Sequence, residues 1–460
     1  MRAQLLQAGA AVLAAAAVGA SPPEHTPTLL LKPCDVQSIP AGCGTLSVPE
    51  DRSKPGGRKI GLHVVLIPAR HQPAQPDVFT YLAGGPGVAA TEETYEIATT
   101  WAPVRDRHDI LLVDQRGTGQ SHPLECPAPK ASVRSAAARQ AYFRSCLATL
   151  DGDVTQYGTR AAMDDLDAVR RALGYEQLDI YGVSYGATAA QVYLRRHRSS
   201  VRTLVLDGAT ELGVPLYAHF AQNAERSLIQ LERRCRTDAV CTRAFPHWRA
   251  TFDRLVREWN RTPVRLGRRV TMSGDDLAGV VQTMLLDPEE AASVPLLVAH
   301  AAVRDFALLE QQGRPGEFTR EAMFWSIWCN EPWVGLAAHG PWGTVFDGYA
   351  TSALRGYRAV CSVLPKRAEP ADAWQAPRSA VPLLALVGGA DPQDPAANLP
   401  ELRERFTNAR TIVVPGYGHA VARYGCLAGL ASIFIDKASV SGLDLRCVHA
   451  IEPVPFARSP

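Results

Sequence analysis

The 460-residue chain has no excess of charge of either sign: 48 Lys and Arg face 46 Asp and Glu, a formal net charge of +2. Without clustered cations a surface cannot neutralise a phosphate backbone, which argues against a nucleic-acid partner. Long apolar runs are missing too. Beyond the N-terminal segment no stretch reaches the roughly 18 uncharged apolar residues of a spanning helix, so stable membrane insertion is not expected. Internal repeats, collagen periodicity and a coiled-coil register are absent. So are Cys-x-x-Cys, His-Glu-x-x-His, a Walker sequence and a dinucleotide fingerprint. With them go the usual signatures of zinc and nucleotide sites, and no metal or organic cofactor is implied.

What remains is a hydrophobic content of 46%, typical of a well-packed globular protein. At about 150 residues per domain the length suits two or three domains, or one α/β core carrying an insertion. Residues Gln7–Ala20 form an uncharged, Ala-rich run behind a single Arg2 and end in Val18-Gly19-Ala20. Small residues at minus three and minus one suit signal-peptidase cleavage after Ala20, so residues 1–20 read as a signal peptide and the protein as secreted or periplasmic. All ten cysteines follow that point. An even, widely spread set behind a leader reads as a disulfide frame. The simplest pairing joins sequence neighbours, Cys34–Cys43, Cys126–Cys146, Cys235–Cys241, Cys329–Cys361 and Cys426–Cys447, and other pairings stay open.

Residues 21–43 are Pro-rich and read as a surface arm; residues 21–77 hold this arm and the first strands, Gly44–Pro49 and Lys59–Pro68. Strand signals follow at Val78–Leu82, Asp109–Val113, Leu178–Tyr181 and Val201–Leu206, with a helix over Thr159–Leu173 and another over Ala187–Arg195. Apolar strands alternating with helices predict a parallel sheet covered on both faces, the first part of an α/β core over residues 78–210. Between 211 and 380 the periodicity is helical, around Phe220–Cys235, Trp248–Trp259, Leu277–Leu286, Ala291–Leu309 and Arg320–Cys329. The second part of the core, 381–460, brings strands Val381–Val387 and Thr411–Val414 with helices Leu399–Phe406 and Ala422–Ile435. The expected architecture is an α/β sheet core with a large helical block inserted before its last two core strands.

Gly182-Val183-Ser184-Tyr185-Gly186 is Gly-x-Ser-x-Gly between a buried strand and a helix. That context lifts a serine hydroxyl above a sheet edge and aims the following N–H groups at the same space. A serine is a poor nucleophile without a base, and the base needs an orienting acid. Strand 381–387 runs into Gly388-Gly389-Ala390-Asp391, and strand 411–414 into Pro415-Gly416-Tyr417-Gly418-His419. The order acid then histidine, each at a strand end, makes Ser184, His419 and Asp391 the candidate catalytic residues. Asp207, after strand 201–206, is the second choice for the acid; Asp394 lies nearer the next helix, where it would serve as a cap; His197 reads as structural. The oxyanion donors would be the N–H of Tyr185 and that of Gly85 in the Gly84–Gly87 loop, where glycine permits close backbone approach.

These segments, together with Asp114-Gln115-Arg116-Gly117-x-Gly119-x-Ser121, Gly388-x-x-Asp391-x-x-x-Pro395 and Gly418-His419, resemble the α/β-hydrolase fold family. Within it the chain looks like the proline iminopeptidase and tricorn-interacting-factor group, in its secreted tripeptidyl-aminopeptidase-like branch. Ala83 stands where many members have His. Tyr185-Gly186-Ala187 replaces the Trp-Gly-Gly of proline iminopeptidases. The resemblance implies a cap over the site and release of residues from short peptides with a free N-terminus. Such an enzyme must pair the substrate ammonium with a carboxylate. Of Glu225, Glu232, Glu289, Glu290, Glu310 and Glu331, the last sits among Trp325, Trp328 and Trp333 and is the candidate amine-binding residue. The competing readings are a carboxylesterase with the same triad and a non-catalytic binding protein.

Overall fold

Apolar strands that bury both faces need helices above and below, and this sheet has them. The computed structural model describes residues 29–129, 135–267, 270–312, 322–370 and 372–458, so the expected signal peptide lies outside the described residues. In chain order the strands are β1 (Lys32–Val36), β2 (Ile39–Pro49), β3 (Lys59–Ile67), β4 (Val78–Leu82), β5 (Asp109–Val113), β6 (Leu178–Val183), β7 (Val201–Asp207), β8 (Val264–Leu266), β9 (Val270–Met272), β10 (Leu383–Gly388) and β11 (Ala409–Val414). Nine form one sheet, ordered β1-β2-β3-β5-β4-β6-β7-β10-β11, and β8 and β9 make a separate hairpin. From β5 to β11 neighbours run parallel, while β1, β2 and β3 are antiparallel additions.

Along β6, Leu178 and Ile180 pack on one face with helices Thr159–Leu173 and Tyr185–Arg196, and Tyr181 and Val183 on the other with helices Thr94–Thr100 and Leu427–Lys437. Between β7 and β10 the chain is mainly helical, with Phe220–Thr237, Ala239–Ala244, Trp248–Arg261, Gly274–Met284, Pro288–Ala302, Ala322–Asn330 and Asp347–Cys361.

Three features depart from the expectation. The arm is partly a strand: β1 pairs with β2 through a turn whose residues Gln37 and Ser38 both have positive φ, 51° and 66°. That turn normally advertises itself by Asn-Gly, and Pro33 and Pro40 mask the strands; Pro33 is tolerated because β1 is an edge, and Pro40 because it precedes Gly42, where the pairing of β2 with β3 begins. Helix Ala136–Leu147 buries little but Phe143 and Cys146, too few apolar positions to show a period. Helix Asp347–Cys361 carries Gly348 and Gly356, which lower its intrinsic propensity, so packing decides it.

Five disulfides are present, Cys34–Cys43, Cys126–Cys146, Cys235–Cys241, Cys329–Cys361 and Cys426–Cys447. They fit an extracellular protein. No helix of the described residues is long and apolar enough to cross a membrane.

Candidate active site

β6 delivers Ser184 to the carboxyl edge of the sheet in a conformation that side chains rarely adopt, φ 56° and ψ −123°. The strain is held in place by Ser184 N donating to Asp207 O at 2.9 Å and by close backbone packing. A Cβ on Gly186 would lie 1.9 Å from Leu82 O, and one on Gly182 2.3 Å from Gly186 O, so both motif glycines are steric requirements. Tyr185 opens helix Tyr185–Arg196, and its N–H is one of the donors a helix start leaves without an intrahelical acceptor. The Gly84–Gly87 loop crosses over the serine: a Cβ on Gly84 would sit 3.3 Å from Ser184 Cβ.

His419 Nδ1 lies 2.8 Å from Asp391 Oδ2. The other oxygen of Asp391 accepts the N–H groups of Gln393 and Asp394, each at 2.8 Å, which fixes the carboxylate towards the ring. His419 Nε2 is buried and makes no hydrogen bond. Burial alone would lower the imidazole, but Asp391, then Asp394 and Asp207, overcome it and hold it at about 9.

Asp207 is not placed as the orienting acid. Its Oδ1 accepts Val421 N at 2.8 Å, and its Oδ2 accepts Ala422 N and Tyr181 Oη, also at 2.8 Å. It clamps the loop that carries His419 instead. Nor does Asp394 cap a helix, since the next short helix, Ala396–Asn398, has Pro395 at its N-cap and no side-chain cap bond. His197 bonds Asp164 Oδ1 through Nε2 at 2.9 Å, a structural contact.

The inserted helices grip both loops. Ser227 Oγ donates to Ala390 O at 2.6 Å and Gln230 Nε2 to Gly389 O at 3.0 Å, while His419 N donates to Leu286 O at 2.7 Å.

Glu331 requires a correction. Only 3% exposed, it accepts Thr159 N (2.8 Å), Thr159 Oγ1 (2.7 Å) and Trp333 Nε1 (2.8 Å), and pairs with Arg367 at 3.2 Å. A carboxylate has about four acceptor positions, and four donors already fill them, leaving none for a substrate ammonium. Burial nonetheless pushes its carboxyl up to about 7, against the pull of Arg367 and the other donors. Thr159 Oγ1 lies 2.9 Å from Tyr185 Oη, which also donates to Gln115 Oε1 at 3.3 Å, so Glu331 buttresses the residue after the serine.

Supporting residues passed over in the sequence are Asp114 and the Arg116–Asp165 pair. Asp114 accepts Thr91 N (3.0 Å), Thr91 Oγ1 (2.9 Å) and Gln120 N (3.1 Å), tying the stretch after the Gly84–Gly87 loop to the turn after β5. Arg116, fully buried, forks onto Asp165 at 2.6 and 2.8 Å. An Arg inside a Gly-rich strand-end motif, with an Asp in a helix downstream, was the available signal. Among the described residues one group has metal-ligand spacing, Asp77, His108 and Asp179, at the opposite edge of the sheet. Arg202 Nη1 lies 3.0 Å from Asp179 and 3.4 Å from Asp77, so the charge there is already balanced by a guanidinium.

This fold, with a serine on a strained strand-to-helix turn, is that of an α/β-hydrolase, and residues 81–274 match the family model described as "alpha/beta hydrolase fold". Residues 349–447 further match a model described as "TAP-like protein". Among curated proteins the chain is similar to Serine protease Hip1 of Mycobacterium tuberculosis, 30% identical over 38% of this chain and 37% of that one. It is similar to Tripeptidyl aminopeptidase of Streptomyces lividans, 28% identical over 36% of this chain and 35% of that one. Carboxylesterase B of M. tuberculosis is 32% identical over 40% of this chain and 39% of its own. Each match thus spans well under half of the relative's length.

Proposed function

We propose that the protein is a secreted serine aminopeptidase that releases short N-terminal fragments, tripeptides among them, from peptides. The observation that carries the chemistry is Ser184 on its strained turn at the same sheet edge as the His419–Asp391 pair. Ser184 attacks the scissile carbonyl, His419 takes the proton and returns it to the leaving amine, and Asp391 holds the imidazole tautomer. The N–H groups of Tyr185 and Gly85 receive the negative charge of the tetrahedral intermediate. Water then releases the acyl group. The similarity to a TAP-like model and to a tripeptidyl aminopeptidase favours a peptide over an ester. With Glu331 already committed, the ammonium anchor is assigned to Glu93 in a cavity of about 270 Å³ lined also by Gly84 and Ala420. Glu93 Oε2 is buried there with the Tyr81 hydroxyl as its polar neighbour, and no cation pairs with it among the described residues.

The test compares kcat/KM for free and N-acetylated mono-, di- and tripeptidyl amides and simple esters. Free tripeptidyl amides should be hydrolysed best and S184A should abolish turnover. E93Q should cost the free-amine amide about 10- to 150-fold, the worth of a charge-assisted contact, and leave an ester nearly untouched. Preference for acetylated peptides or esters would make the enzyme an esterase, the reading that the likeness to Carboxylesterase B favours. Export is checked separately by N-terminal sequencing of the mature protein, expected to begin at Ser21; an intact Met1 end would refute it.

A further inference from the structure

Asp391 is not the sole carboxylate facing the imidazole. Asp394 Oδ2 lies 3.7 Å from His419 Nδ1, the nitrogen that Asp391 already holds. Asp394 is 4% exposed, and its one ion-pair partner among the described residues is His419. Its Oδ1 is held by the Thr210 hydroxyl and its Oδ2 by Gln393 Nε2 at 3.0 Å. Asn398 Nδ2 donates to Thr210 Oγ1 at 2.7 Å, which orients that hydroxyl to give its proton to Asp394. A buried carboxylate fixed by neutral donors and lacking Lys or Arg is costly unless a cation forms beside it. The cation that forms here is the imidazolium.

We infer that Asp394 is a positioning residue, a second counter-ion of His419 that acts through the histidine and sets the pH range in which this residue can serve as a base. The inference rests on the catalytic reading given above. The charged groups facing His419 are Asp391 and Asp394 from the loop after β10 and Asp207 from the end of β7; the inserted segment contributes the Leu286 carbonyl. Asp207 also accepts two loop N–H groups and a tyrosine and Asp391 two N–H groups, whereas Asp394 accepts only from the side chains of Thr210 and Gln393. Asp394 is itself raised, to about 6, chiefly by burial and then by Asp391, with His419 opposing. Above that pH it is ionised and favours the protonated ring. The base form of His419 is neutral, so every carboxylate beside it moves the acidic limb of kcat/KM upward. The same pairing stabilises the imidazolium once Ser184 has given up its proton. Asp394 therefore trades activity at lower pH for stabilisation of the charged intermediate.

The experiment measures kcat/KM from pH 5 to 10 for wild type, D394N and D394S, and titrates the His419 ring by NMR in the S184A background with and without D394N. D394N should move both the acidic limb and the ring titration down by about one pH unit, a roughly tenfold gain in relative rate on the limb. T210V, which removes the clamp and keeps the charge, should not lower either one. A D394N enzyme slowed at every pH with limb and titration in place would make Asp394 a structural clamp and overturn the inference. D394S decides the matter in the same way should D394N fail to fold. If S184A retained turnover the catalytic reading would fail, and the NMR titration would still decide whether Asp394 governs the ring.

Discussion

Two histidines at opposite edges of one sheet, His108 buried and His419 half-buried, each face three carboxylates. At the carboxyl edge His419 has Asp391 at 2.8 Å, Asp394 at 3.7 Å and Asp207 nearby. At the amino edge His108 has Asp77 at 3.0 Å, Asp436 at 3.0 Å and Asp179 at 3.9 Å. Both rings are held above the ordinary histidine value, burial opposing and the carboxylates prevailing. The difference is in what the ring nitrogens do. Each nitrogen of His108 has a carboxylate at 3.0 Å, Asp77 beside Nδ1, which makes no hydrogen bond, and Asp436 beside Nε2, and Arg202 closes the cluster. His419 has its carboxylates at Nδ1 alone, and its buried Nε2 has neither a carboxylate beside it nor a hydrogen bond among the described residues. A perturbed histidine is thus a poor marker of chemistry by itself; a perturbed histidine with one nitrogen that faces no carboxylate is a better one.

Exchanging the two roles gives the largest expected effects. H419A should lower kcat by about 10⁴-fold or more while the fold persists. H108Q should leave kcat within about threefold but cost roughly 3 kcal/mol, since it strips a buried ion-pair network of its central cation. Chemical denaturation and turnover, measured on the same preparations, check both. The pH dependence has a definite sign. A histidine raised on folding stabilises fully below its unfolded value of about 6.5, and that gain is lost as pH climbs through the raised folded value. The stability gap between wild type and H108Q should therefore narrow above about pH 6.5. A gap that widens with pH, or an H108Q enzyme that loses turnover while staying stable, would break the comparison.

The carboxyl edge was far more legible in the sequence than the amino edge. Ser184, His419 and Asp391 each end a run of apolar residues and stand beside glycines, because a turn that tight and that close to neighbouring backbone tolerates little else; the local chemistry is written locally. Asp77, His108, Asp179, Arg202 and Asp436 come from five separate segments whose meeting depends on strand order and on the docking of helix Leu427–Lys437, which no window of sequence contains. The same reasoning covers the carboxylates whose roles local sequence leaves open. Asp207 and Asp391 both end strands, and only the partners contributed by the His419 loop tell a loop clamp from an orienting acid. Glu331 looked exceptional among tryptophans and is so, but Thr159 and Arg367, which occupy it, lie 172 and 36 residues away. Helix Asp347–Cys361 and the β1–β2 hairpin went unread because their stability comes from packing, pairing and disulfides rather than from local pattern.

Glu331 gives the smallest and sharpest test, since it is a buried ion pair like the His108 cluster but sits behind Tyr185, close to the site. If it buttresses the elbow, E331Q should cost stability, about 2 kcal/mol, because a Gln nitrogen would face donors that now meet an oxygen. Turnover on free-amine peptides and on esters should fall by equal factors, as a displaced Tyr185 N–H would weaken the oxyanion site for both. A loss confined to free-amine peptides would restore Glu331 as the ammonium anchor and displace Glu93. The pH dependence adds a second readout. Burial raises this carboxyl to about 7. Between its unfolded value of about 4.3 and that pH the folded state therefore binds the extra proton, and wild-type stability falls as pH rises through this window. Gln cannot titrate, so the stability gap between wild type and E331Q should be widest near pH 4.5 and shrink towards pH 7. His108 should keep its gap across that same range and lose it only above. Two buried groups in one molecule would then release their stabilisation in successive pH windows, and a coincident release would show that both are coupled to one unfolding event rather than to their own protons.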